Sequence, residues 1–241
     1  MDETGGLLVL TAIPEERRPI ARALAAAEAE ARVRVKIVET GDGSVRASRG
    51  ARDAIAAHRP SHVLGAGVAG ALSPELAVGE LVASERVLDA AEEAPPPDPE
   101  LLARVVALPG IRPGTLLSVV TPAFTAVQKA ALAVRAAGAA NAGRPAAVDM
   151  ESAAWARACA EAGVPYVILR AISDTADEDL PGYLAGCMDA QGSIRRAGVV
   201  SGALRHPGSI PALLRMRRRV AGCGRALGEA IAALAGTIPR A

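Results

Sequence analysis

The sequence predicts an α/β protein: a single three-layer domain over 1–241, with a mostly parallel central sheet flanked by helices and a helical C-terminal segment over 185–241. Three observations carry this expectation. Short apolar runs alternate with amphipathic stretches of helical period along most of the chain, which is the pattern of a parallel sheet covered on both faces. Turn and breaker residues mark several of the boundaries, as GDG (41–43), the proline-rich 90–100 and Gly163 do. At 241 residues, without an internal repeat or a dividing linker, the chain is long enough to bury one large core.

The elements follow in order. LLVLTAI (7–13) reads as a buried strand, and PEERRPIARALAAAEAE as a helix entered through Pro14. VRVKIVET (33–40) alternates as a strand does, GDG turns it, and 44–58 returns as a helix. SHVLGAG (61–67) is the next strand, and the glycines that follow read as a loop. GELVASERVL (79–88) is strand-like, and AAEEAPPPDPE (90–100) is a proline-rich surface segment with a helix starting from Asp98. GTLLSVV (114–120) is a strand, AVQKAALAVRAAG a helix, PAAVDM (145–150) a strand, ESAAWARACAEAG (151–163) a helix ended by Gly163, and PYVILRAISD (165–174) a further buried strand. The remainder is helical with a break at RHPGS (205–209).

Composition removes several function classes. Half the residues are hydrophobic, yet only Phe124, Trp155, Tyr166 and Tyr183 are aromatic, so Ala, Val and Leu fill the core and each aromatic position carries information. A formal net charge of +1 argues against a nucleic-acid binder coated in basic side chains. Cys159, Cys187 and Cys223 are far apart and form no C-x-x-C pair, which fits a reducing compartment without a disulfide framework or zinc site. The N-terminal apolar run stops at Pro14, too short for a signal peptide, and no stretch reaches membrane-spanning length. A cytoplasmic protein with no bound cofactor or metal is expected.

In an open parallel sheet, ligands sit at the carboxyl ends of strands. Those ends are Glu15 and Glu16, Gly65 to Gly70, Thr121 to Thr125, Asp149 to Glu151, and Ser173 to Asp177. Three of them hold carboxylates and one holds the only phenylalanine, with no histidine. The G-x-G-x-x-G of residues 65–70 would suit an NAD-binding oxidoreductase only if a long helix followed the third glycine. Pro74 and Gly79 leave room there for no more than a short turn, so the dinucleotide reading is disfavoured.

The stretch AVDMESAAWARACAEAGVPYVILRAISDTAD resembles the purine nucleoside phosphorylase and methylthioadenosine/S-adenosylhomocysteine nucleosidase superfamily, which carries a V-[DE]-M-E block followed by R-A-I-S-D. TAIPEE, GAGVAGALSPELAVGELV and TPAFT fall in the same order, so the resemblance covers roughly residues 7 to 180. It implies a nucleoside phosphorylase-like fold and cleavage of a purine N-glycosidic bond, with small-molecule nucleoside as ligand and a homo-oligomeric assembly. As that bond breaks, the base gains negative charge and the ribose becomes oxocarbenium-like, so a proton donor at N7 lets the base leave neutral.

By the resemblance Asp174 is that donor, Glu151 accepts from the ribose hydroxyls, Met150 lies under the sugar, and Phe124 stacks on the purine with Thr125 at the base edge. Ser173 is placed near the base, Arg170 serves as structural support, and Val68, Ala69 and Gly70 line the glycine segment against the ligand. Glu16 positions the attacking water of the hydrolytic branch. The plainer alternatives are a helix cap or exposed acid for Asp174 and first-turn acids for Glu16 and Glu151. The phosphorolytic branch would instead use phosphate as co-substrate in a cationic cradle, for which Arg46, Arg17 and Arg18 are candidates. A non-catalytic nucleoside-binding module would need neither Glu16 nor Asp174.

Two departures refine the reading. The segment LDAAEEAPPPDPE is shorter than in the small nucleosidases, which predicts an open 5′ side. In the tail, helical projection from Ile210 puts Ile210, Leu213, Leu214, Val220, Gly224, Leu227 and Ile231 on one side and Arg215, Arg218 and Arg219 opposite. That is the pattern of a surface helix packed on its own domain, with peripheral contact to an anionic membrane as the alternative. Together the short loop and HPGSIPALLR resemble the hopanoid-associated phosphorylase subgroup, which implies adenosylhopane as substrate.

Overall fold

The computed structural model describes residues 6–27, 35–89, 92–139, 145–189 and 195–238. Among these, the strands are β1 (Leu7–Thr11), β2 (Val35–Glu39), β3 (His62–Ala71), β4 (Leu81–Leu88), β5 (Ile111–Ser118), β6 (Ala146–Asp149) and β7 (Tyr166–Asp174). The helices are α1 (Pro14–Ala25), α2 (Ser44–His58), α3 (Pro99–Val106), α4 (Ala126–Ala139), α5 (Ser152–Glu161), α6 (Arg196–Arg205) and α7 (Ile210–Thr237). Short 3-10 turns lie at Gly182–Cys187 and Pro207–Ser209. The helix ends obey local chemistry. Pro14 opens α1 and Pro99 opens α3, where the Asp98 side chain accepts the Leu101 N–H at 2.8 Å.

Alternation along the strands builds the three layers. Leu8 and Leu10 of β1 face one side with Ala47 and Ala51 of α2 and Trp155 and Cys159 of α5. Leu7 and Val9 face the other with Ile20 and Leu24 of α1, Leu101 of α3, and Leu227 and Ile231 of α7. Within β7, Ile168 and Ile172 join the first layer and Val167 and Leu169 the second.

The sheet is mostly parallel, as expected, but it does not stay open. β1 pairs in parallel with β2 and β3. β3 is parallel to β7 along its length and antiparallel to β6 at its end, while β7 is antiparallel to β4, and β4, β5 and β6 run parallel in turn. Five strands therefore close on one another, with β1 and β2 as an appended edge. The cause lies in β3. Ten residues long, it absorbs the glycines expected in a loop; one edge pairs with β1 at its start and β6 at its end, while the other follows β7 through a register shift between Ala69 and Gly70. Residues 72–80 after it contain no helix, which removes the dinucleotide-binding alternative.

The C-terminal segment is α6, a break at 207–209, and α7. Cys223, Leu227, Ile231 and Leu234 of α7 are buried on the domain, as the preferred reading required. Gly224 and Gly228 allow the approach to α1. A Cβ at Gly228 would lie 2.5 Å from Ala23 Cβ and 2.8 Å from the Ile20 carbonyl, and one at Gly224 would collide with Pro19. The first turns differ from the projection: Ile210 and Leu214 are exposed and do not join the buried stripe. Among the described residues no helix is long and apolar enough to cross a membrane.

Candidate active site

The site residues lie at the carboxyl ends of the strands, and three consecutive residues of β3 reach Glu16, Ser173 and Asp174. The Val68 N–H donates to Glu16 Oε1 at 2.8 Å. Ala69 O lies 3.2 Å from the Ser173 hydroxyl. Above Gly70, a Cβ would sit 3.0 Å from Asp174 Oδ2. Residues 65–70 are thus strand backbone, in which Gly67 and Gly70 leave room for acids and Gly65 for Trp155 and Ile168.

Glu16 projects from the first turn of α1 and is 4% exposed. Its second oxygen accepts the Ala12 N–H at 3.1 Å. Burial raises its carboxyl above the ordinary range, with the Arg170 guanidinium and the backbone N–H groups pulling the other way. The first-turn position is therefore real, but the solvated-acid alternative is not.

Arg170, fully buried in β7, organises this half of the site. Its Nε lies 2.7 Å from Asp149 Oδ2, and Nη2 lies 3.5 Å from Glu151 Oε2. The guanidinium covers the Trp155 ring at 4.8 Å from its centroid. Nη1 has no hydrogen-bond partner among the described residues. It and Glu16 flank Gly67. A Cβ there would lie 2.6 Å from Glu16 Oε1 and closer still to Arg170 Nη1.

One cation thus faces three carboxylates. Burial opposes the charge on Arg170, but Asp149, Glu151 and Glu16 outweigh it and hold the guanidinium above its ordinary value. Glu151 shows the converse. Burial pushes its carboxyl up to about 8 against the pull of Arg170, with Asp149 and Glu16 adding to the rise. The Gly43 N–H donates to Glu151 Oε1 at 2.9 Å, delivered by the positive-φ turn of the GDG segment. Asp149 is locked by Ser118 at 2.6 Å and by Ser152. Met150, between the two acids, is half-buried.

The other half is built on Asp174 at the end of β7. Ser173 Oγ lies 2.5 Å from Oδ1, so the serine is turned towards the acid and Ala69. Lys129 Nζ, from α4, lies 2.6 Å from Oδ2. The Lys129 ammonium also donates to the carbonyls of Thr175 at 2.6 Å and Glu178 at 2.9 Å. Phe124 is buried; its carbonyl accepts from Leu180 at 2.7 Å, joining this segment to the chain beyond Asp174. Thr125 caps α4. Its hydroxyl accepts the Gln128 N–H at 3.2 Å while Gln128 Oε1 accepts the Thr125 N–H at 3.1 Å, a capping box.

Of the predicted residues, Glu16, Val68 and Glu151 gather with Arg170; Ala69, Gly70 and Ser173 gather with Asp174; and Phe124 and Thr125 lead into α4. Lys129 and Gly43 were missed, and Asp149 was named only as a strand end, without its place on Arg170. Lys129 did leave a signal, as one of only two lysines among 27 basic residues. The phosphate candidates fare differently. Arg46 is paired with Asp42 at 3.4 Å and Asp189 at 3.1 Å, and Arg17 and Arg18 are exposed on α1.

A layered α/β fold that gathers buried carboxylates at the carboxyl ends of its strands is of the class that binds ligands there. The model of the phosphorylase superfamily matches residues 7–199, and the chain belongs to that superfamily as an enzyme of its phosphorylase and nucleosidase class. A relative is the 5′-methylthioadenosine/S-adenosylhomocysteine nucleosidase of Geobacillus kaustophilus (strain HTA426), 32% identical over 163 residues, covering 59% of this chain and 68% of the relative. Among solved structures, the Helicobacter pylori enzyme of the same name, bound to butyl-thio-DADMe-Immucillin-A, superposes with TM-score 0.71 at 16% identity over 98% of this chain and all of its own. Futalosine hydrolase of Helicobacter pylori gives TM-score 0.71 at 17% identity over 98% and 99% of the two chains.

Proposed function

We propose that this enzyme hydrolyses the N-glycosidic bond of a 5′-substituted adenosine and releases adenine. The observation that carries hydrolysis is Glu16, fixed by the N–H groups of Ala12 and Val68 beside the unpaired Nη1 of Arg170. A carboxylate whose proton affinity is raised by burial is a suitable base for water. In this reaction water attacks C1′ and gives a proton to Glu16, the C1′–N9 electron pair passes to the base, and Asp174 supplies the proton that N7 takes up. Glu151 and Met150 hold the ribose, and Phe124 meets the purine. Phosphorolysis is the weaker reading, because Arg46 is already committed to two aspartates and Glu16 would repel a phosphate.

Two readings of the 5′ substituent have support. A methylthio or homocysteinyl group follows from the names of the relatives. A large apolar group, as in adenosylhopane, suits the segment after β4, which folds back on its own domain. Glu93 pairs with Arg86 at 2.5 Å, Asp89 with Arg157 at 2.6 Å, and Tyr166 donates to Pro95 O. It also suits the corner of α6 and α7, where Leu204, Ile210 and Leu214 are exposed. Between Asp189 and Glu229 the chain carries eight arginines and no acid, which favours contact with an anionic membrane. A homo-oligomer is supported by exposed Val120, Val127 and Val134.

The test offers adenosine, methylthioadenosine and a 5′-lipid-substituted adenosine, each with and without phosphate, and quantifies adenine and the sugar product. Phosphate-independent adenine release supports hydrolysis, and sugar phosphate would refute it. The substrate with the highest kcat/KM identifies the substituent.

A further inference from the structure

Lys129 has no part in the reaction as written so far, yet it is the most deeply buried lysine the fold contains. Its side chain is 1% exposed and enters the site from the second turn of α4. Burying an ammonium is unfavourable unless it is paired and hydrogen-bonded. Here one carboxylate and two carbonyls use its three protons: Asp174 Oδ2 at 2.6 Å, Thr175 O at 2.6 Å and Glu178 O at 2.9 Å. The two carbonyls belong to the turn that leaves β7 directly after Asp174, so the lysine fixes the acid and the chain behind it together. Glu178 is further tied to α7 by Arg219 at 2.5 Å.

We propose that Lys129 is the positioning residue of the leaving-group half of the site, holding Asp174 and supplying the proton that Asp174 passes to the departing base. This rests on the reading of Asp174 given above. An aspartate 2.6 Å from an ammonium forms an ion pair, and the pair as a whole carries the transferable proton. As the C1′–N9 bond breaks, the Nζ–H bond breaks and an Oδ2–H bond forms. That proton then moves to N7, leaving Asp174 as carboxylate and Lys129 as neutral amine, which regains a proton from solvent after product release. Glu16 releases to solvent the proton it took from water, so charge and protons balance over the full turnover. Ser173, on Oδ1, keeps the carboxylate turned so that Oδ2 faces the ammonium and Gly70.

The experiment compares two substrates in the full-length enzyme: the best purine nucleoside, and p-nitrophenyl β-D-ribofuranoside, whose leaving group departs without protonation. Lys129→Met is expected to lower kcat on the purine nucleoside by about 100-fold with little change in KM, and to leave the nitrophenyl riboside within about 3-fold of wild type. In an Asp174→Asn background the same change should add no further loss on the purine substrate. Lys129→Ala should recover purine turnover when methylamine is added. Equal losses on both substrates, or additive losses in the double variant, would show a structural role and overturn the proposal, as would a Lys129→Met enzyme with full purine turnover. Inactivity of the wild type on every purine nucleoside would instead refute the function proposed above.

Discussion

Gly67 separates a buried cation from a buried carboxylate, and Gly67→Ala measures what that separation is worth. The backbone of β3 accepts any residue at this position, so only the new methyl group acts. It would lie 2.6 Å from Glu16 Oε1, whereas ordinary contact needs about 3.4–3.5 Å, so the carboxylate must retreat by roughly 0.8 Å. Neither neighbour yields cheaply. Glu16 is held by two backbone N–H groups, and Arg170 by Asp149, Glu151 and the Trp155 face. Overpacking costs about 1–3 kcal/mol and loss of a charged hydrogen bond about 1.5–3 kcal/mol, so a total of about 3–5 kcal/mol is expected. That corresponds to a fall in Tm on the order of 10 °C for a chain of this size. Displacing the base by about 1 Å should also lower adenine release by about 100-fold. Thermal melts and initial rates read both effects. Gly138→Ala, on the exposed face of α4 with no atom within 4 Å, is the control and should stabilise by about 0.5–1 kcal/mol. A Gly67→Ala protein that melts with wild type and turns over normally would refute the reasoning.

Three other outcomes follow from the same geometry. Asp174→Asn should reduce turnover by about 10²–10⁴-fold while isothermal titration with a nucleoside analogue shows binding retained. The Glu151 carboxyl keeps its proton to about pH 8 in the folded protein but only to about its ordinary 4.5 when unfolded. Its contribution to stability is therefore full below pH 4.5 and is lost as pH rises through about 8, so Glu151→Gln should flatten the decline of Tm across that window. Gly228→Val should destabilise by about 2–3 kcal/mol in denaturant melts, because the obstruction includes the Ile20 backbone, which cannot rotate away.

The layered architecture was legible because period-two burial and period-3.6 burial are both local signals. Leu7 to Leu10 alternate between two cores, and Ile20 and Leu24 answer from a helix. Closure of the sheet was not legible. It depends on β3 choosing two partners at once, and glycines at 65, 67 and 70 look the same in sequence whether they make a loop or a strand with acids pressed against it. In the tail, period separated Leu227 and Ile231 correctly as core, but Ile210 and Leu214 share that period and are exposed. At the site, carboxylates at strand ends could be named from their positions. Lys129 could not, because it sits inside α4 among alanines and its partner lies 45 residues further along the sequence. Arg170 could be named only as structural support, because the three acids that share it, Asp149, Glu151 and Glu16, come from separate elements.

Trp155 gives this arrangement an optical consequence. It is the single tryptophan of the chain, fully buried, with its ring beneath Arg170, its edge beside Gly65 and its Nε1 donating to Thr40 Oγ1 at 3.1 Å. Intrinsic fluorescence excited at the indole band therefore comes from one place, beneath the Arg170 guanidinium. Any event that shifts the guanidinium, whether a bound nucleoside or a titrating glutamate, alters the charge lying on that ring. The protein thus carries its own label at the reacting end of its pocket, and stopped-flow emission can follow ligand entry and turnover with no added chromophore.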